Sequence, residues 1–146
     1  MHIGERKGER ATDMASRNSF KTGSCEMIVL HILKNYGDCY AYQISQLITK
    51  ITGGQLSFPE GSLYPAFYKL IDNGLISDYK KQTGKRMIKV YYHFEPKGEE
   101  RLQELYTDFR QATLSIEQIL DYDYSEIDWE SWRSEPRRKK SEDTES

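Results

Sequence analysis

The chain has little of what most secreted proteins, membrane proteins and enzymes require. Only two of its 146 residues are cysteine, Cys25 and Cys39. They form no C-x-x-C pair, which argues against structural zinc. No apolar run approaches the roughly 20 residues that span a bilayer. The first twenty residues, MHIGERKGERATDMASRNSF, lack the hydrophobic stretch of a secretory signal. The expectation is a cytoplasmic protein with no membrane partner, no cofactor and no metal. The histidines, His2, His31 and His93, fall in a tail, a helix and a strand. With no Gly-rich phosphate loop and no Ser or Cys in a nucleophile turn, catalysis is not expected.

What is present is polar. Charged residues make up 30% and hydrophobic ones 37%, with a mean hydropathy of −0.79. That suits one domain with unpacked tails. The net charge of −2 hides an asymmetry. Residues 24–94 hold eight Lys/Arg against five Asp/Glu, net +3, and residues 95–146 hold eight against fifteen, net −7. A basic middle and an acidic end are separate physical objects.

Residues 1–22 are polar and aperiodic and are expected to be disordered; Met14 offers a second start. From residue 24 apolar side chains recur at steps of three and four. Cys25, Ile28, Val29, Ile32, Leu33 and Tyr36 mark a first amphipathic helix, stopped by Gly37. In that stripe Cys25 is a small buried hydrophobe. Ile44, Leu47, Ile48 and Ile51 mark a second helix over about 40–52, ended by Gly53-Gly54. Pro59 and Gly61 then break the chain, Ser62 is a good N-cap, and Leu63, Phe67, Leu70 and Ile71 define a third helix ending at Asn73-Gly74.

Two β-prone runs follow, LISDYKK and IKVYYHF, joined by QTGKRM, which is the pattern of a hairpin. Its tip is basic: Lys80, Lys81, Lys85, Arg86 and Lys89. A last helix is expected to start at Pro96, where a missing N–H costs nothing. Leu102, Leu105, Phe109, Ala112, Ile116 and Ile119 alternate steps of three and four, the a/d pattern of a coiled-coil seam. Such a helix is about 36 Å long, more than a three-helix core covers, so self-association is the expected way to bury the seam. The remainder is acidic and mostly unpacked, apart from Trp129 and Trp132, which suit a short helical turn.

The fold class is therefore mainly α with a small β-hairpin: a winged helix-turn-helix domain over 23–95, a dimerisation helix over 96–121 and an acidic tail over 122–146. Placing Leu63, Phe67 and Leu70 inward turns Gly61, Ser62, Pro65, Tyr68, Lys69 and Asp72 outward, with Tyr64 at the border. A recognition helix that enters a major groove by its amino end needs close backbone approach and donors for phosphate. Gly61 and Ser62 provide the first, Tyr64, Tyr68 and Lys69 the second, and Lys85, Arg86 and Lys89 of the wing would reach neighbouring phosphates. The alternative is a winged helix used only for protein contact, which a wing without Lys or Arg would favour.

The segment EGSLYPAFYKLIDNGLI resembles the signature of the PadR family of transcriptional regulators, a Gly-Thr-Leu-Tyr-Pro-Ala-Leu helix followed by a Gly-Leu-Ile strand. Gly61, Leu63, Tyr64, Pro65, Ala66, Leu70, Gly74, Leu75 and Ile76 match, and Ser62 stands for threonine. YAYQI, the basic wing TGKRMIKVYYHF and Gly98 match further family features in order. The resemblance covers about 24–120. It implies a homodimeric repressor on a palindromic operator in double-stranded DNA, dimerised through the last helix. In some members a small aromatic or hydrophobic effector releases DNA, which makes Tyr106 and Phe109 candidates for a ligand pocket at the dimer interface, with ordinary packing as the alternative role. Departures are Ala41 for a glycine, Glu95 for a threonine and Phe109 for a tryptophan.

Overall fold

Three helices, a short strand and a hairpin build the first part of the computed structural model, which describes residues 24–134. Helix α1 covers 24–35; strand β1 (Cys39–Tyr40), helix α2 (Ala41–Ile51), helix α3 (Glu60–Asp72), strands β2 (Ile76–Thr83) and β3 (Met87–Phe94), and helix α4 (Gly98–Asp121) follow. A 3-10 turn (Tyr124–Glu126) and helix α5 (Trp129–Arg133) close the described chain. The chain divides into two compact units, one ending at Phe109 and one beginning at Arg110. The tail expected at 1–22 lies outside the described residues, as does the part beyond 134 of the tail expected over 122–146, whose described part holds the 3-10 turn and α5.

The sheet is antiparallel with strand order β1-β3-β2. Its centre is β3, which pairs with β2 from Ile76↔Phe94 to Thr83↔Met87 and with β1 through Cys39↔Tyr92 and Tyr40↔Tyr91. β1 carries no sequence signal, since two residues make no period. The turn between β2 and β3 is Gly84-Lys85-Arg86, with Gly84 at φ 77°, a left-handed conformation that glycine adopts without steric cost.

One core joins the three helices to the inner face of the sheet. Val29, Leu30, Ile44, Leu63, Phe67 and Leu70 are fully enclosed, and the Phe67 ring stacks on Tyr92 at 3.9 Å and 17°. The periodicity assigns α3 correctly but errs at helix ends. Tyr36 and Ile51 are 63% and 73% exposed, because each sits on a last turn that has run past the core. Leu30 and Phe58 are buried instead.

Two helix starts also differ from expectation. α3 begins at Glu60 with Pro59 as its N-cap. Ser62 is therefore inside the first turn, where its hydroxyl donates to the Pro59 carbonyl at 2.7 Å. α4 begins at Gly98 and not at Pro96. Gly98 N–H donates to the Glu95 carbonyl at 2.8 Å, so Pro96 occupies a turn corner that its fixed φ suits. Glu95 does not cap α4; its carboxylate accepts from Ser77 Oγ at 2.6 Å. A Cβ on Gly98 would lie 2.8 Å from the Leu75 carbonyl oxygen and 3.0 Å from the Phe94 ring, so only glycine fits this crossing of α4 over the sheet.

In the second unit, the aromatic residues meet one another. Tyr122 packs edge-on against Tyr124 at 5.3 Å and Trp132 at 6.2 Å. Asp128 caps α5 by accepting from the Glu130 N–H, so the expected helical turn around the two tryptophans is present.

Candidate nucleic-acid interface

A groove of about 510 Å³ runs between the amino ends of α2 and α3 and the strand β3. Tyr40, Ala41, Tyr42, Glu60, Tyr64 and the wing residues Met87 to Val90 line it. The helix starts come together because α2 is capped by Gln43, whose side chain accepts from Tyr40 N–H at 3.1 Å, and because Ser45 Oγ donates to the Phe58 carbonyl at 2.7 Å. That bond ties α2 to the segment leading into α3.

On α3 the expected inward and outward faces are found. Leu63, Ala66, Phe67 and Leu70 are buried, while Gly61, Ser62, Pro65, Tyr68, Lys69 and Asp72 are exposed and Tyr64 is half-buried. A Cβ added at Gly61 would meet nothing within 4 Å. No crowding among the described residues requires glycine there.

Tyr64 stands edge-on to Phe67 at 5.6 Å and tilted beside Tyr68 at 6.2 Å. Its hydroxyl faces a Glu60 carboxylate oxygen at 3.5 Å. Burial, and then the Glu60 charge and hydrogen bond, push the Tyr64 pKa up. The hydroxyl is thus a proton donor at neutral pH. Lys69, expected to supply free charge, pairs with Glu26 at 3.2 Å, so part of its field is neutralised within the domain.

The basic hairpin separates into two groups. Lys85 and Arg86 are exposed at the turn, and among the described residues neither joins a salt bridge. Lys89 is half-buried with its ammonium 4.1 Å from the centre of the Tyr40 ring, and Lys81 lies 5.2 Å from that of Tyr91. Cation–π contact holds these two against the outer face of the sheet.

That outer face carries a cluster that spacing alone does not reveal. Asp38 accepts from Tyr79 Oη at 2.7 Å and bonds His93 Nδ1 at 2.8 Å. Burial tends to raise the Asp38 pKa, but the hydrogen bonds from Tyr79 and His93 outweigh it and hold the carboxyl below its ordinary value. Tyr79 stacks on Tyr91, which in turn meets Tyr40 edge-on. The three partners of the cluster lie far apart in sequence, so no local pattern announces them.

Of the seam on α4, Leu102 is buried in the core of its own unit and Leu105 is half-buried against it. Ala112 is exposed, as are Phe109 at 44%, Ile116 at 55% and Ile119 at 59%. Tyr106 is 43% exposed one turn before Phe109. Among the described residues no helix is long and apolar enough to cross a membrane, and no group of three or more His, Cys, Asp or Glu side chains could hold a metal ion.

The chain is similar to solved structures over most of their length. A transcriptional regulator from Clostridium thermocellum is 28% identical with a TM-score of 0.62, covering 68% of this chain and 96% of that one. A PadR-like transcriptional regulator from Bacillus cereus is 25% identical with a TM-score of 0.57, over 72% and 99%. A PadR family regulator from Eggerthella lenta, at 18% identity and a TM-score of 0.63 over 82% and 99%, shares the fold. No curated protein matches closely enough to count as a relative. The family model for the Transcriptional regulator PadR-like family matches residues 29–104, more than half of the chain. Helix, helix, helix and wing, with Gly98 wedged where only glycine fits, thus make this chain a member of the PadR-like family of transcriptional regulators.

Proposed function

We propose that the chain binds double-stranded DNA through the exposed face of α3 and the tip of the wing. The observation that carries this reading is the groove itself: the amino end of α3, bare at Gly61, opens beside a hairpin whose turn holds a lysine and an arginine outside every salt bridge of the described residues. Lys85 and Arg86 take phosphates, Tyr64 stacks on a sugar, and Gly61 and Ser62 let the amino end of α3 approach the duplex closely. Pro65, Tyr68 and Lys69 face the same partner.

The protein acts as a homodimer in the cytoplasm, where its target DNA lies. Phe109, Ala112, Ile116 and Ile119 form the contact along α4, and burying this row of exposed apolar side chains is its driving force. Two copies would then read half-sites about 10 base pairs apart on a palindromic operator. Repression follows if the operator overlaps a promoter. A small aromatic effector binding near Tyr106 and Phe109 would alter the dimer and with it the half-site spacing. The domain boundaries follow from this division of labour: 23–95 reads DNA, 96–121 dimerises, and the acidic segment from 122 does neither.

Fluorescence anisotropy with a duplex from upstream of its own coding sequence tests this directly. Binding should weaken steeply and linearly in log[salt]. Absence of binding at low salt would refute the reading.

A further inference from the structure

Glu60 conflicts with simple phosphate binding in the groove. It is exposed in the first turn of α3 and is the carboxylate among the residues lining the groove. Among the described residues no Lys, Arg or His forms a salt bridge with it; its hydrogen bond is the long one from Tyr64 Oη. A DNA phosphate placed beside this charge would be repelled, since within about 10 Å salt screens incompletely. The groove therefore disfavours any register that sets a phosphate on Glu60.

A carboxylate has only acceptors to offer, so a base edge beside it must present a donor. In the major groove those donors are the amino groups of cytosine and adenine, and adenine carries an acceptor, N7, next to its amino group. Cytosine N4 presents its donor without that neighbouring acceptor on the same base. With Lys85 and Arg86 drawing phosphates to the wing tip, the first turn of α3 is left over the base edges. We infer that Glu60 is a specificity-determining residue that selects cytosine, and adenine second, at one position of each half-site.

This inference rests on the DNA-binding reading and deepens it. A competing structural role exists, because an acidic residue in a first turn favours the helix dipole. The two roles differ in what they move. Full-length wild type and Glu60→Gln are each used to select from a library of duplexes with a randomised core, and thermal unfolding of both is recorded. Wild type should enrich a motif with cytosine at one symmetric pair of positions, where any other base weakens binding by about 5- to 100-fold. Glu60→Gln should lose the preference at that pair alone and bind random duplex more tightly, while melting close to wild type. A Glu60→Gln motif identical to wild type, or a gain in affinity that is equal for all sequences, overturns the inference and leaves the DNA reading intact. A wild-type protein that enriches no motif and binds no duplex overturns both.

Discussion

The two ends of the hairpin are held in opposite ways. At its root, rings and charges are partnered: Asp38 joins Tyr79 and His93, Tyr91 lies between Tyr79 and Tyr40, and inside the sheet Tyr92 stacks on Phe67. At its tip, Lys85 and Arg86 are in no salt bridge among the described residues, and Met87 and Ile88 are 60% and 66% exposed. The side chain of Gln82 reaches the Gly84 and Lys85 carbonyls at 3.3 Å and shapes the turn without covering it. The root serves the fold. The tip adds little to the fold, and in the proposed function it is the part that meets DNA.

Substitutions can break this contrast, beginning with the largest effect. Phe67→Ala removes the ring beneath Tyr92 and should cost about 3–5 kcal/mol of stability by chemical denaturation. DNA binding would then be lost only in proportion to unfolding. Raising the pH tests the root by another route. Burial pushes the Cys25 and Cys39 thiols up to about 11 and the Tyr92 hydroxyl up to about 12. Groups with raised folded pKa values stabilise fully below their unfolded values and lose that contribution as pH rises through the folded ones. Stability should therefore fall progressively from about pH 9 upward, and Cys39→Ala should lessen the part that begins there.

At the tip the expected pattern reverses. Lys85→Ala with Arg86→Ala should leave stability within about 0.5 kcal/mol, yet lower the slope of log affinity against log[salt] by roughly 1.8, about 0.9 for each phosphate no longer neutralised. An unchanged slope would remove the wing from the interface. Gly61→Ala sharpens the contrast further, because its two effects have opposite signs. It should stabilise α3 by roughly 0.5–1 kcal/mol, and it should weaken DNA binding by placing a methyl group where the duplex approaches. The smallest change is Asp38→Asn. The cluster is exposed and its bonds are screened, so below about 1 kcal/mol is expected. Whatever Asp38 contributes as a carboxylate is present above its unfolded pKa near about 4 and lost as the pH falls through its lower folded value. The difference between wild type and variant should accordingly shrink in acid.

These residues also show how far periodicity reaches. Leu63, Phe67 and Leu70 are legible in sequence because α3 lies across the core for its whole length, so a 3.6-residue period survives intact. Tyr36 and Ile51 fit the same period and are not core, because period alone does not tell where a helix leaves the core. Phe58 gives no signal because it lies in a connection without a period. The wing's charges are visible in sequence, but their division is not. Lys89 and Lys81 turn back onto tyrosines from strands whose register only the fold sets, and Lys69 finds Glu26 on another helix. Glu60 stands in plain view within the signature segment. Its isolation among the groove residues needs α2 and the wing in place around it.

The claim that the bare end of α3 and the wing tip form one DNA-facing surface is tested most directly by hydrogen exchange. The full-length protein would be compared alone and with a saturating duplex that it binds. Slowed exchange concentrated over 60–69 and 84–89, with 76–79 and 91–94 already slow and unchanged, is the predicted result. Protection that leaves both of the first two segments untouched while binding is demonstrably saturated would contradict it.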